Sequence, residues 1–332
     1  MMDLRIPIAE GPVSRNCNRS DRLSRMCRRL GVGAREAEIR RCLDLVCGES
    51  LAPDAGWSSL NADGVPVQFA LNLAPAHMPP FEFVGEAFRA GMGFRERRAF
   101  GLERMTRVAS VIGLEADLAS VRPLLAELTE AGQAGDGEDP AGAFWIGASF
   151  DSAGASSMTV YANGRRGPEP ARWTRLEHFV QFVADGEWAR IFAVAQEAGL
   201  RPLGAGVRLA AWSRPHARVY FGAYGISPRE YRRMFHDAGG PAHFDGALGM
   251  LFDHILGADV EFPTQSAVFS FGANGDGEWS PKLELCAHCL SNESQSRIGA
   301  WGWAGVPVYI GVGMRHGQRY LSLYLNPGRE GL

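Results

Sequence analysis

The stretch "PHARVYFGAY", residues 215–224, has two chemically different faces. Successive side chains of a β-strand point to opposite sides, so Arg218 and Tyr220 share one face of a predicted strand. Val219 and Phe221 share the other face. A strand that offers apolar residues to one layer and a cation beside a phenol to the other fits a closed sheet with a polar interior.

Similar strand patterns recur along the chain. Paired alternating runs joined by Gly, Asn, Asp or Ser turns are typical of β-hairpins. Five such hairpins are predicted, over residues 57–74, 143–164, 204–225, 267–289 and 306–328. In the first of them the predicted turn is Ala62-Asp63-Gly64.

Helical periodicity separates the hairpins. Ile39, Cys42, Leu43 and Val46 follow the i, i+3, i+4, i+7 spacing of a one-sided apolar helix face. Comparable spacings begin at Trp188 and Leu248. The layout therefore predicts helices that cover one face of the strands.

Ten strands joined by tight turns predict an α/β fold: a ten-stranded antiparallel β-barrel built from repeated ααββ units and surrounded by helices. Closure removes the exposed sheet edges. The alternative is a split α+β sheet with helices on one side. We expect a flexible arm over residues 1–19 and one barrel domain over residues 20–332.

Composition indicates an ordinary globular chain. It has 332 residues, a net charge of −3, 46% hydrophobic and 21% charged residues. It contains no apolar run long enough to span a membrane and no secretory signal, and its charge does not favour nucleic-acid binding. Six cysteines need no disulfide framework. We expect a cytoplasmic monomer that binds no metal through a dedicated site.

A recurrent strand pattern accompanies this layout: a basic residue, one apolar residue, then Tyr. "HARVYF" fits it with Arg218 and Tyr220, and "PKLELC" fits half of it with Lys282. "SMTVYA" and "YLSLYL" keep the tyrosine without the cation, and "PVQFAL" offers glutamine. The whole resembles the ABBA-type, or PT-barrel, prenyltransferases over roughly residues 20–328, with a lean toward the cyanobactin-type branch that prenylates peptides.

This resemblance implies a prenyl diphosphate co-substrate, dimethylallyl or geranyl diphosphate, inside the barrel. Cations stabilise the departing diphosphate, while phenols donate to phosphate oxygens and shield the allylic cation. The candidate diphosphate ligands are Arg218, Lys282, Tyr161, Tyr220, Tyr324, Gln68 and Thr159. The resemblance permits Mg²⁺ to assist, although the sequence provides no dedicated carboxylate site.

The resemblance also implies an acidic residue near the first hairpin that orients the nucleophile. Asp54 is the first candidate and Glu49 the second. Candidate acceptor contacts are Trp212, Tyr224, Glu284 and His288. The simpler interpretation of these side chains is a solvated strand arginine, ordinary strand tyrosines and a surface Lys282–Glu284 pair.

The resulting functional hypothesis is transfer of a C5 or C10 prenyl group to a nucleophilic aromatic side chain of a peptide. Prenylation of a small aromatic or indole metabolite is the alternative. A barrel that carries a hydrophobic ligand without catalysis is a second alternative, favoured by the missing cations at positions 68 and 159. A carrier has no need of Arg218 and Lys282 inside the barrel, whereas an ionising enzyme does.

Overall fold

The structure is a computed structural model, and it describes a large part of the chain. The described residues are 21–52, 54–61, 63–74, 78–130, 142–211, 213–223, 226–239, 244–251, 255–256, 267–273, 279–315 and 317–328. The predicted N-terminal arm, residues 1–19, and the candidates Trp212 and Tyr224 lie outside them.

Helices and strands alternate in pairs along most of the chain. The helices are α1 Asp21–Arg29, α2 Glu36–Cys47, α3 Phe94–Ile112, α4 Glu115–Leu128, α5 Glu169–Val183, α6 Trp188–Glu197, α7 Pro228–Asp237, α8 Asp245–Leu251 and α9 Asn292–Gly299. The strands are β1 Val67–Ala74, β2 Phe81–Gly85, β3 Phe144–Asp151, β4 Gly154–Asn163, β5 Arg201–Leu209, β6 His216–Ala223, β7 Ala267–Ala273, β8 Lys282–Cys286, β9 Val306–Arg315 and β10 Gln318–Asn326.

The ten strands close into one antiparallel barrel in the order β1-β10-β9-β8-β7-β6-β5-β4-β3-β2. The closing contact joins β1 to β10, where Phe69 pairs with Leu325. The predicted barrel is therefore confirmed, and the open α+β sheet is wrong. Every described strand has a neighbour on both sides, so the sheet has no free edge.

The first hairpin differs from its prediction. The described residues of this stretch, 57–61 and 63–66, form no strand, and β1 instead pairs with β2, with Ala70 opposite Glu82. The Asp63-Gly64 turn belongs to a loop outside the barrel wall, in which Gly64 has a positive φ of 75°. The sequence signal of a turn was real, but it marks a loop that leads into β1. The other four hairpins match their predicted positions.

The outer face of β6 explains its apolar residues. Phe221 is fully buried and stacks on Trp173 of α5 with ring centroids 5.5 Å apart. It also meets Phe192 of α6 edge-on at 5.7 Å. Val219 is likewise fully buried. Because one parity of the strand packs on helices, Arg218 and Tyr220 must face the barrel interior.

Candidate functional site

The barrel interior holds a cavity of about 250 Å³, just below the size of typical ligand pockets, which span roughly 300–1,000 Å³. Eight of the predicted site residues line it. They are Arg218, Lys282, Tyr161, Tyr220, Tyr324, Gln68, Thr159 and Glu284. Alternation of side chains along the strands therefore places most of the predicted site residues around one cavity.

Cations outnumber carboxylates on the cavity wall. The cations in its interior are Arg208, Arg218, Lys282 and Arg315, while Arg165 lines the cavity but is exposed. Among the described lining residues, the only carboxylates are Glu82 and Glu284. Glu82 pairs with Arg208 at 3.3 Å, and Glu284 pairs with Lys282 at 2.8 Å. Two arginines remain without a carboxylate partner among the described residues, so the cavity carries excess positive charge.

Arg218 is held by two serine hydroxyls. Its Nη1 donates to Ser270 Oγ at 3.0 Å, and its Nη2 donates to Ser280 Oγ at 2.8 Å. His216 Nε2 lies 2.6 Å from the same Ser280 Oγ. Burial, then Arg218, Arg315 and Arg208, hold the pKa of His216 well below its ordinary value. The imidazole is therefore neutral at neutral pH and can accept a hydrogen bond from the Ser280 hydroxyl.

A buried guanidinium nitrogen of Arg315 lies at the end of β9. Arg315 Nη1 makes no hydrogen bond within the described part of the chain. Burial, and next the like charge of Arg208, lower the pKa of Arg315 to about 10. Unpaired buried guanidinium nitrogens are costly, and an anion would relieve that cost.

Lys282, Glu284 and Tyr324 form a second charged group. Lys282 Nζ hydrogen-bonds Tyr324 Oη and lies 4.6 Å from the centre of that ring. Burial alone would raise the pKa of Glu284, but Lys282, Tyr324 and Arg218 together hold it below its ordinary value. Glu284 is consequently a carboxylate at neutral pH and neutralises Lys282.

Two tyrosines and a carboxylate line an adjacent part of the wall. The rings of Tyr161 and Tyr220 lie 5.8 Å apart, and Tyr161 Oη donates to Glu82 Oε1 at 3.2 Å. Burial and the charge of Glu82 raise the pKa of Tyr161 well above its ordinary value. Tyr161 thus remains a protonated phenol that donates hydrogen bonds. The aromatic faces beside it suit a transient carbocation.

Glycines opposite the large interior side chains make room for them. Gly206 pairs with both Tyr161 and Arg218 in the barrel register. A Cβ at Gly313 would lie 2.5 Å from the Tyr320 ring, and one at Gly272 would lie 2.4 Å from His216. The interior is therefore filled by large residues set against glycines, and the cavity is the space they leave.

Gln68 lines the cavity with its donors already used. Its Nε2 donates to Leu60 O at 2.7 Å and to Asn61 Oδ1 at 3.0 Å. The amide thereby anchors the loop that precedes β1, of which Leu60 also lines the cavity. An anchoring role accounts for a glutamine, and not a cation, at this position.

Three predicted contacts lie away from the cavity lining. Glu49 follows α2 on the barrel exterior, where it pairs with Arg89 and Arg104 of neighbouring segments. Asp54 is exposed in the loop after α2. His288 is exposed because "CAHC" leaves the strand and forms a 3₁₀ turn over Ala287–Cys289. The structure therefore does not bring these three residues to the other predicted site residues.

The barrel matches the fold of solved structures. A "6-dimethylallyl tryptophan synthase" superposes with a TM-score of 0.73 at 16% identity, over 96% of this chain and 98% of that chain. A 6-dimethylallyltryptophan synthase from Micromonospora olivasterospora, solved with DMASPP and Trp, gives 0.69 at 16% identity over 95% and 99%. AnaPT from Neosartorya fischeri gives 0.61 at 13% identity over 93% and 92%.

The chain has the fold of these prenyltransferases. At 16% identity or less the likeness extends to the fold and no further. No protein-family model matches the sequence, and no curated protein matches it. The ABBA-type barrel inferred from strand patterns is thus confirmed as the fold.

Four interior side chains of the Glu, Arg and His types were not identified from the sequence: Glu82, Arg208, His216 and Arg315. Arg208 shares the parity of Gly204 and Gly206 on β5, and Arg315 shares that of Gly311 and Gly313 on β9. A rule that assigned every residue of interior parity, on both strands of each hairpin, would have found these two arginines. Glu82 was missed because β2 itself was missed.

Within the described residues, no group of three or more His, Cys, Asp or Glu side chains is arranged to hold a metal ion. None of the described helices is long and apolar enough to cross a membrane.

Proposed function

We propose that this protein transfers a prenyl group from a prenyl diphosphate to a small aromatic acceptor, with an indole as the most suitable nucleophile. The observation that carries the proposal is the excess of buried cations around one cavity, with Arg315 Nη1 lacking a partner among the described residues. An allylic diphosphate is an anion that becomes more negative at its leaving oxygen as the C–O bond breaks. Fixed cations at that point lower the barrier to ionisation.

The cations would bind the diphosphate from three strands. Arg218 and Arg315 have no carboxylate partner in the described chain, and Lys282 lies on β8 between them in barrel order. Guanidinium groups bind phosphate oxygens in pairs of parallel hydrogen bonds, which fixes orientation as well as charge. Tyr324 supplies a phenol beside Lys282. This set retains the predicted ligands Arg218, Lys282 and Tyr324 and adds Arg315.

The tyrosine pair would protect the allylic cation. Tyr161 and Tyr220 present neighbouring rings to the cavity, and both are surrounded by protein. Aromatic faces stabilise a cation. They are weaker nucleophiles than water, so they do not trap it. The closed barrel limits access of water, which would otherwise convert the cation to an alcohol.

Glu82 would orient the acceptor, in place of the predicted Asp54 and Glu49. It is buried in the wall, and its ion pair with Arg208, at 3.3 Å, is longer than the 2.8 Å pair that Glu284 forms with Lys282. A carboxylate accepting from an indole N–H pushes electron density into the ring as the new C–C bond forms. Glu82 lies on β2 of the first hairpin, so it also meets the expectation of an acidic residue there.

The acceptor proposed here is a small molecule. Solved proteins of the same fold include one in complex with DMASPP and Trp and a PriB complex with L-tryptophan and dimethylallyl thiolodiphosphate. The tryptophan named in these two complexes and the small volume of the cavity support a small aromatic acceptor over the peptide acceptor of the cyanobactin-type branch. A peptide side chain remains a prediction without support from the comparisons.

The decisive experiment combines binding and turnover. Calorimetric titration uses dimethylallyl and geranyl thiolodiphosphates, inorganic pyrophosphate and geraniol, with and without Mg²⁺. Mass spectrometry follows dimethylallyl transfer to L-tryptophan and to a tryptophan-containing peptide. We expect micromolar diphosphate binding, and prenylated tryptophan as product.

Matched variants separate the enzyme from a carrier. Arg218→Gln removes an interior cation, while Arg319→Gln removes an exposed one on the outer face of β10. An enzyme loses diphosphate binding only in Arg218→Gln. A carrier binds geraniol, ignores pyrophosphate and is equally unaffected by both changes, and that result would overturn the proposal.

A further inference from the structure

His216 is the one histidine lining the cavity within the described chain, and the groups that face it are cationic. Arg208 of β5, Arg218 of β6 and Arg315 of β9 each lower its pKa, in addition to the effect of burial. Its contact on the β7 side is uncharged, since Gly272 and Ser280 lie there. Without a bound anion, a fourth positive charge at this place is strongly disfavoured.

A bound diphosphate would reverse this electrostatic balance. A diphosphate monoester carries about one negative charge more than the roughly −1.5 to −2 of a phosphomonoester near neutral pH. Among its described lining residues the cavity has four interior cations against two carboxylates, which leaves two positive charges. A bound diphosphate therefore exceeds the available positive charge, and a neighbouring opposite charge favours an imidazolium.

The hydrogen bonds around Ser280 can accommodate the added proton. Arg218 Nη2 donates to Ser280 Oγ at 2.8 Å, and the Ser280 hydroxyl can donate only one proton, here to neutral His216 Nε2 at 2.6 Å. Once Nε2 carries a proton, it donates to Ser280 Oγ instead. The Ser280 hydroxyl proton is then free for a new acceptor, such as a phosphate oxygen.

We infer that His216 takes up one proton from solvent when a diphosphate binds, and that the leaving group is held in part by an imidazolium acting through Ser280. The inference rests on the proposed function, because it requires the cavity to bind a diphosphate. The only covalent change in the protein is the Nε2–H bond that His216 forms with the proton taken from solvent. When the allylic C–O bond breaks, its electron pair stays on the diphosphate oxygen, and the imidazolium offsets that charge. His216 is thus a positioning residue for the leaving group.

The direct test is an NMR titration of the full-length protein labelled with ¹³C-histidine. His216→Gln identifies the His216 signal, and His178, which is exposed on α5, is the internal reference. Titrations are recorded for the free protein and with saturating inorganic pyrophosphate or dimethylallyl thiolodiphosphate. We expect the His216 midpoint to rise from well below its ordinary value to neutral pH or above with either ligand, while the His178 midpoint does not move.

A second measurement uses affinity. Calorimetric Kd values of wild type and His216→Gln are compared between pH 6 and pH 8, so that protonation of the ligand itself cancels. Uptake of one proton weakens wild-type binding, relative to the variant, by up to about tenfold per pH unit as the pH rises. His178→Gln should follow wild type.

The outcomes separate the two proposals. Pyrophosphate binding with an unmoved His216 midpoint and parallel pH profiles overturns the role of His216 and leaves the diphosphate site intact. Absence of binding by pyrophosphate and by the thiolodiphosphate overturns both. A risen midpoint with diverging profiles supports both.

Discussion

Arg208 Nη2 lies 3.3 Å from Glu82 Oε2, which joins β5 to β2 across the two strands between them. Arg208 Nε also donates to Ser157 Oγ at 2.8 Å. Glu82 further accepts from Tyr161. This interior ion pair ties the cationic part of the cavity to the part with the tyrosines, so the donor and acceptor sites proposed above share one polar wall.

Glu82→Gln should separate catalysis from diphosphate binding. The amide keeps the size of the side chain but cannot take the charge that develops on an acceptor N–H. We expect turnover to fall by about 100-fold, measured by mass spectrometry of the prenylated product. Thiolodiphosphate affinity should stay the same or increase, because a negative charge has been removed. Glu103→Gln, exposed on α3, is the control. Unchanged turnover would exclude Glu82 as the orienting group.

Glu284→Gln should strengthen diphosphate binding. The carboxylate neutralises Lys282 at 2.8 Å, so its removal leaves the lysine free for an anion and raises the net charge of the cavity. A charge change at this range in a partly buried site is worth roughly a few kcal/mol before screening, so we expect at least about a tenfold lower Kd for pyrophosphate. Calorimetry checks this. Weaker binding would mean that Glu284 positions Lys282 instead of competing with the ligand.

The lowered pKa of Glu284 should make the free energy of unfolding depend on pH in acid. The folded-state pKa of Glu284 lies below the unfolded value of about 4.3. Its contribution is therefore complete above that unfolded value and is lost as pH falls through the folded-state pKa. Urea unfolding between pH 3 and pH 7 should show a steeper acid loss for wild type than for Glu284→Gln. Parallel curves would contradict an ionised Glu284.

Parity along the strands made much of this site predictable. Arg218 and Tyr220 were assigned to the interior because Val219 and Phe221 required the opposite layer, and the buried packing of Phe221 confirms that reasoning. Any strand with one unambiguous apolar face can be oriented from its sequence in the same way. Closure also followed from sequence, because five hairpins leave two edges unless the sheet closes.

Other features depended on contacts that sequence does not contain. β2, "FEFVG", has only five residues and follows a proline-rich segment, so its alternation is too short to recognise. Glu82 was missed because β2 was not recognised, and Asp54 and Glu49 were predicted as the acidic residues instead. Gln68 was assigned to the diphosphate because it stands where the strand pattern has a basic residue. Its hydrogen bond to Leu60 O arises only on folding, so the sequence did not reveal it.

Phe221→Ala should destabilise the protein without changing the site. The side chain is fully buried between Trp173 and Phe192, on the face opposite the cavity. Truncating a buried Phe costs about 3–5 kcal/mol, which urea unfolding followed by circular dichroism can measure. At a temperature where the variant is folded, its thiolodiphosphate Kd should equal that of wild type. A large change in Kd would mean that the two faces of β6 are coupled.

Gly313→Ala should perturb the cavity more than Gly206→Ala. A methyl group at 313 would lie 2.5 Å from the Tyr320 ring, which must move within the interior, whereas one at 206 would lie 3.3 Å from Tyr161. We expect Gly313→Ala to lose about 1–3 kcal/mol of unfolding free energy as an overpacked site.

Gly206→Ala needs only small adjustments, so its loss should be the smaller of the two. Because Tyr320 lines the same cavity as Lys282, the Gly313 variant should also bind thiolodiphosphate more weakly by calorimetry. If Gly313→Ala and Gly206→Ala lose equal stability, the interior glycines are not matched in size to the side chains opposite them.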